Sequence, residues 1–117
     1  MNANLSQLYK PTYQEMKVPM SSFEAAMLVA GLPKGTPHRE ARKDGRVYRL
    51  QKKIQRAGRI YNDAKLPDAY RLEHGIPSAW DGGCLVFERA QVERWHKRRF
   101  TKSKRSRFLA PDKTVEG

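Results

Sequence analysis

Asp44-Gly45-Arg46-Val47-Tyr48-Arg49-Leu50-Gln51-Lys52-Lys53-Ile54-Gln55-Arg56-Ala57-Gly58 is the most informative stretch of this chain. Val47, Leu50, Ile54 and Ala57 recur at steps of three, four and three residues, which on a helix makes one apolar stripe. Arg46, Arg49, Lys53 and Arg56 repeat the same steps on a neighbouring face, with Lys52 beside them. The pattern predicts a helix from about Arg46 to Ala57, with Asp44 as N-cap and Gly58 as its C-terminal stop. Surface faces usually mix both signs of charge, whereas this one holds only cations. A helix about 10–12 Å across fits a nucleic-acid major groove about 12 Å wide. Arginine can bond guanine O6 and N7 bidentately, and both cations neutralise phosphates. A solvated basic face without a ligand is the plainer alternative.

Upstream, Ser21 and Glu24 have the spacing of a capping box, in which hydroxyl and carboxylate each satisfy an otherwise orphan backbone N–H. Phe23, Ala26, Met27 and Ala30 follow at helical spacing, and Gly31 and Pro33 stop the helix. The small side chains of Ala25, Ala26 and Ala30 suit the close approach of a second helix. Residues 33–45, polar and broken by Gly35, Pro37 and Gly45, read as a loop. Downstream, Asp68 to His74 reads as a short helix. Ile76 to Trp80 and Cys84 to Phe87 flank Asp81-Gly82-Gly83, a turn sequence that predicts a hairpin. Pro77 assigns the first of these strands to an edge. Glu88 to Arg99 is a closing helix with Val92 and Trp95 toward the core, and Phe100 stands near its end.

The expected organisation is one domain, residues 21–100, between an arm at 1–20 and a tail at 101–117. Pro11, Pro19 and irregular apolar spacing make the arm extended or only partly ordered. The tail carries Lys102, Lys104, Arg105 and Arg107 among serines and threonines without apolar periodicity, the signature of a segment disordered when free. With Lys97, Arg98 and Arg99 it forms a second basic cluster, suited to phosphates and not to reading sequence.

The 117 residues hold 24 Lys and Arg against 12 Asp and Glu, a formal charge of +12, which points to a polyanionic partner. Cys84 is the only cysteine, which excludes an intramolecular disulfide and a cysteine-rich zinc cage and suits a reducing cytosol or matrix. No apolar run approaches the roughly 20 residues of a membrane helix, and Met1 to Lys10 lacks a secretory pattern. The expectation is a cytoplasmic, nucleoid-associated protein, with the mitochondrial matrix as the alternative, and no membrane partner.

Catalytic constellations are missing from the sequence. His38, His74 and His96 are scattered without metal-ligand spacing, so neither metal nor cofactor is expected. Cys84, next to Leu85 in an apolar strand pattern, reads as a small buried hydrophobe and not a nucleophile. Gly82-Gly83 lacks the lysine and hydroxyl residue of a phosphate loop. Glu88 and Glu93 fit helix-face pairs with Arg89, Arg94 or Lys97. The chain does not read as an enzyme.

Ser22-Phe23-Glu24-Ala25-Ala26, Val47 to Ile60 ending Gln55-Arg56-Ala57-Gly58-Arg59-Ile60, Ile76-Pro77, Gly82-Gly83-Cys84-Leu85-Val86-Phe87 and Val92-Glu93-Arg94-Trp95 stand in a recognisable order. In these pieces the sequence resembles the excisionase and MerR-like family of winged helix-turn-helix DNA-binding proteins, over about Ser21 to Arg99. The resemblance implies a mainly α fold with a small β-hairpin wing (α+β). It places Arg46, Arg49, Lys52, Lys53 and Arg56 in a major groove, with Arg59 following, and Asp81, Gly82 and Gly83 in the wing. Phe87, Val92 and Trp95 become core. The sequence departs from the family in a long loop between the first two helices and in an extra segment, roughly Tyr61 to Gly75. The function so implied is an architectural or regulatory DNA-binding protein, such as an excision factor or a transcriptional regulator. Duplex DNA is the expected partner, and a homo-oligomer or cooperative assembly on DNA stays open. The alternative is a structural subunit embedded in the RNA of a ribosome or mitoribosome.

Overall fold

A computed structural model describes residues 8–99. They form an α+β domain in which five helices pack on a three-stranded antiparallel sheet. The helices are α1 (Ser22–Ala30), α2 (His38–Ala41), α3 (Gly45–Tyr61), α4 (Asp68–His74) and α5 (residues 89–99). The strands are β1 (Pro19–Met20), β2 (Ser78–Asp81) and β3 (Cys84–Glu88), in the order β1-β3-β2. One turn of 3-10 helix, Tyr13–Glu15, precedes β1.

Local chemistry fixes the element ends. The Ser21 hydroxyl accepts from the Glu24 N–H at 3.1 Å, and the Glu24 carboxylate accepts from the Ser21 N–H at 2.9 Å. Helix α1 ends at Gly31. The Asp44 carboxylate caps α3 by accepting from the Arg46 N–H at 2.9 Å. Gly82 and Gly83 take φ of 60° and 86°, the left-handed pair that a two-residue hairpin loop requires. Asp81 is thereby set opposite Cys84 and Trp80 opposite Leu85. Strand β2 starts just after Pro77 and lies at one edge of the sheet.

Val47, Ile54, Ile76, Phe87 and Val92 are fully buried and form the centre of the core, with Trp95 beside them. Ala25 and Ala26 have no exposed surface, so α1 lies close against α3. Arg71 of α4 is also buried: its Nε donates to the Tyr61 carbonyl at 2.9 Å and its Nη1 lies 3.4 Å from Asp68 Oδ1. That pairing satisfies an otherwise costly buried cation and ties α4 to the end of α3.

The structure corrects the sequence reading in four places. Helix α3 does not stop at Gly58 but continues to Tyr61. Gly58 is buried because α3 passes beneath β3, where a Cβ would come within 2.7 Å of Leu85 Cδ1. The stretch expected to be a loop contains α2, whose Ala41 is buried. Cys84 is exposed, since it flanks the hairpin loop opposite Asp81 while Leu85 and Phe87 turn inward. Residues 8–20, expected as an extended arm, are packed: Leu8, Pro11 and Met16 are buried, and Pro19–Met20 add a third strand by pairing with β3. The expected tail and Phe100 lie outside the described residues.

Candidate nucleic-acid interface

Helix α3 contains no Asp or Glu in 17 residues. Its buried face is Val47, Ile54, Ala57, Gly58 and Tyr61, and on the opposite side Arg46, Arg49, Lys52, Lys53, Arg56 and Arg59 are all exposed. At 1.5 Å per residue these cations extend over roughly 20 Å of helix. Tyr48 shares the exposed arc at 57% exposure, with the Lys52 ammonium 5.3 Å from its ring centre.

Among the described residues, one cation of the face forms a salt bridge, and the same acid also attracts Arg49. The Arg46 guanidinium reaches Asp44 with Nη2–Oδ2 at 2.8 Å and Nε–Oδ1 at 3.2 Å. The side-chain bond from Arg46, then the backbone N–H of the same residue, holds the Asp44 carboxyl at a pKa of about 2, and the pairing raises that of Arg46. The cation-only face expected from the sequence is therefore matched by an acid at this end, because the N-cap aspartate falls within reach of the second helical residue.

Two flanks extend the face. On one, Arg99 of α5 lines a cleft with Lys53, Arg56, Tyr70, His74 and the acidic Glu73, floored by Ala57, Ile60 and Trp95. The Arg99 guanidinium lies 4.8 Å from the Trp95 ring centre, a cation–π contact that positions it toward α3. On the other flank the hairpin, including Gly83, lies beside Arg59, Gln51 and Gln55. Arg98 is not part of this surface: it lines a separate hollow with Tyr9, Tyr61 and Leu72, and its Nη2 lies 3.4 Å from the Gly75 carbonyl. Lys97 is exposed and falls, by helical spacing, opposite the Val92 and Trp95 side of α5. Lys102, Lys104, Arg105 and Arg107 lie outside the described residues.

The sequence reading passed over three side chains at this surface. Trp80 is 56% exposed on β2, and Gln51 and Gln55 form the polar edge of α3 nearest the hairpin. The two-residue turn held the signal for Trp80, since it pairs that position with Leu85 and so sets both on one face of the sheet. Among the described residues, no three His, Cys, Asp or Glu side chains gather as a metal-ligand group, and no helix is long and apolar enough to cross a membrane. Of the charge pairs expected on α5, Arg89 and Glu93 form one at 3.1 Å.

Fold and surface together define an α+β domain presenting one cationic helix face between a hairpin and a closing helix. Comparison of the chain with protein-family models, with curated proteins and with solved structures found no match.

Proposed function

We propose that this protein binds duplex DNA, with α3 entering the major groove and the β2–β3 hairpin lying on the adjacent backbone. Its task would be architectural or regulatory, of the excision-factor or transcriptional-regulator kind. The observation that carries the proposal is the exposed arc of α3, six cations on a helix with no acid of its own. Such a face is repelled by itself and relieved by a polyanion, and its width suits a major groove.

The order of β1, α1, α3 and the hairpin in one small sheet supports a winged-helix reading. The short helices α2 and α4 occupy the two places where the sequence departs from that family's pattern. Arg99 adds a cation on one side of α3, and the hairpin adds a backbone-contact surface on the other.

Fluorescence anisotropy with a labelled duplex across a salt series tests the proposal. A footprint of about six to ten phosphates loses about 10³–10⁵ in affinity between 50 and 200 mM salt. A flat response overturns nucleic-acid binding. Tighter binding to structured RNA than to any duplex transfers the protein to the RNA-scaffold reading.

A further inference from the structure

We infer that the cleft between the β2–β3 hairpin and α3 receives an unpaired nucleobase, stacked on Trp80. The inference rests on the DNA-binding reading and adds to it a preference for distorted or locally opened duplexes.

The geometry begins with the turn. Gly82 and Gly83 at positive φ fix the register that sets Trp80 opposite Leu85, on the sheet face that packs over α3. Leu85 is half-buried there, yet Trp80 stays 56% exposed and lines a cleft. The facing wall is Gln51, Gln55 and Arg59 of α3, with Ser22 beside the two glutamines. The cleft measures about 350 Å³, inside the range of roughly 300–1,000 Å³ usual for small-ligand sites.

The chemistry of the walls matches a base. Gln51 and Gln55 each donate through Nε2 to the Ser22 hydroxyl, at 3.3 and 3.2 Å. Those bonds hold both amides in place and leave each with a carbonyl oxygen and a second N–H. An amide presenting donor and acceptor side by side is complementary to the edge of a base, adenine above all. Arg59 is exposed at the last turn of the cationic helix, where it can take the phosphate of the same nucleotide. Among the described residues lining the cleft there is no carboxylate to repel that phosphate.

An exposed aromatic face beside a cationic track is the arrangement by which proteins hold single-stranded nucleic acid. Within an intact duplex the faces of the bases are covered by their neighbours. A base can lie flat on Trp80 only after it has left the stack. The site therefore distinguishes a bulged or opened duplex from a perfectly paired one.

The experiment compares the full chain on a fully paired duplex and on the same duplex carrying one unpaired adenine. The wild type should bind the bulged duplex about tenfold more tightly, in line with the value of one base–aromatic stack. Trp80→Ala should lose more on the bulged duplex than on the paired one and so reduce that preference to within about twofold, and Trp80→Phe, which keeps a ring, should retain most of it. Equal wild-type affinity for both duplexes, or a preference that survives in Trp80→Ala, overturns the cleft and leaves the groove reading standing. Equal losses on both duplexes make Trp80 a backbone contact and overturn it as well. A wild-type dimer that Trp80→Ala converts to monomer, with DNA preference unchanged, gives the indole to a subunit interface instead. Absence of wild-type binding to either duplex overturns both readings together.

Discussion

Gly58 of α3 lies so close to Leu85 of β3 that a Cβ in its place would sit 2.7 Å from Leu85 Cδ1. Phe87 crowds the same point, with ring carbons at 2.9 and 3.0 Å. Two effects compete in Gly58→Ala. Removing a glycine from a helix interior gains about 0.5–1 kcal/mol. Overpacking a filled core costs about 1–3 kcal/mol. Leu85 is half-buried and can turn aside, but Phe87 has no exposed surface and cannot. Crowding therefore wins, and Gly58→Ala should lower stability by about 1 kcal/mol in urea unfolding. A stabilised variant would place β3 further from α3 than the structure has it.

Trp95 supplies a second test of the same core. It is 4% exposed, it belongs to the cluster of Phe87, Val92 and Ala57, and it floors the cleft beside the cationic face. Replacing a buried tryptophan with alanine typically costs about 3–5 kcal/mol through lost contacts and the cavity left behind. In a domain whose whole stability is about 5–15 kcal/mol, Trp95→Ala should bring the melting temperature down steeply or prevent folding. A melt within a degree or two of wild type would show that α5 does not close the core.

Elements governed by near neighbours were legible in the sequence. The capping box at Ser21 and Glu24, the cap at Asp44, the helix from Asp68 to His74 and the Gly82-Gly83 turn each depend on residues within a few positions. Gly58 was misread for the opposite reason: its role is set by Leu85 and Phe87, far along the chain, and a glycine kept for close approach looks in sequence like a helix stop. The packing of residues 8–20 is equally non-local, since β1 has two residues and its partner lies in β3. In the candidate site, the α3 cations followed directly from helical periodicity. The two-residue turn carries the signal for Trp80, but its meeting with Gln51 and Gln55 depends on how the hairpin packs beside α3. The Arg46–Asp44 pair needed the actual rotamers of two neighbouring side chains.

Tyr61 gives the fold an alkaline limit. Its hydroxyl donates to the Tyr9 carbonyl at 2.6 Å, and burial pushes the phenol above its ordinary value of 10.0. The folded chain thus holds a proton that the unfolded chain releases. Stability from this site is complete below pH 10.0 and declines as pH rises from there through the folded value. Tyr61→Phe should cost about 0.5–1.5 kcal/mol at neutral pH through the lost hydrogen bond, and should fall less steeply above pH 10. Unfolding curves collected from neutral to alkaline pH decide the matter. Parallel curves for the two proteins would mean that the Tyr61 hydroxyl is solvated and that residues 8–20 are not held there.

Asp44 links the stability of α3 to its charge. Its carboxyl is held at about 2 against an ordinary 3.8, chiefly by the Arg46 side chain, so its contribution is present above 3.8 and is lost as pH falls through about 2. Asn caps a helix as well as Asp does, so Asp44→Asn should keep α3 while removing this acid limb. The same change frees the Arg46 guanidinium, which is 59% exposed and now spends its hydrogen bonds on Asp44. With net charge raised by one and Arg46 available to a phosphate, Asp44→Asn should bind duplex DNA more tightly, with a salt slope steeper by about one. Arg46→Ala in the wild type should correspondingly cost less affinity than Arg49→Ala, because the wild-type Arg46 charge is already matched. Anisotropy on one duplex, with circular dichroism to verify the helix, measures all three variants. An unchanged slope in Asp44→Asn would place the start of α3 outside the DNA contact, and a larger loss for Arg46→Ala than for Arg49→Ala would show that DNA breaks the Asp44 pair on binding.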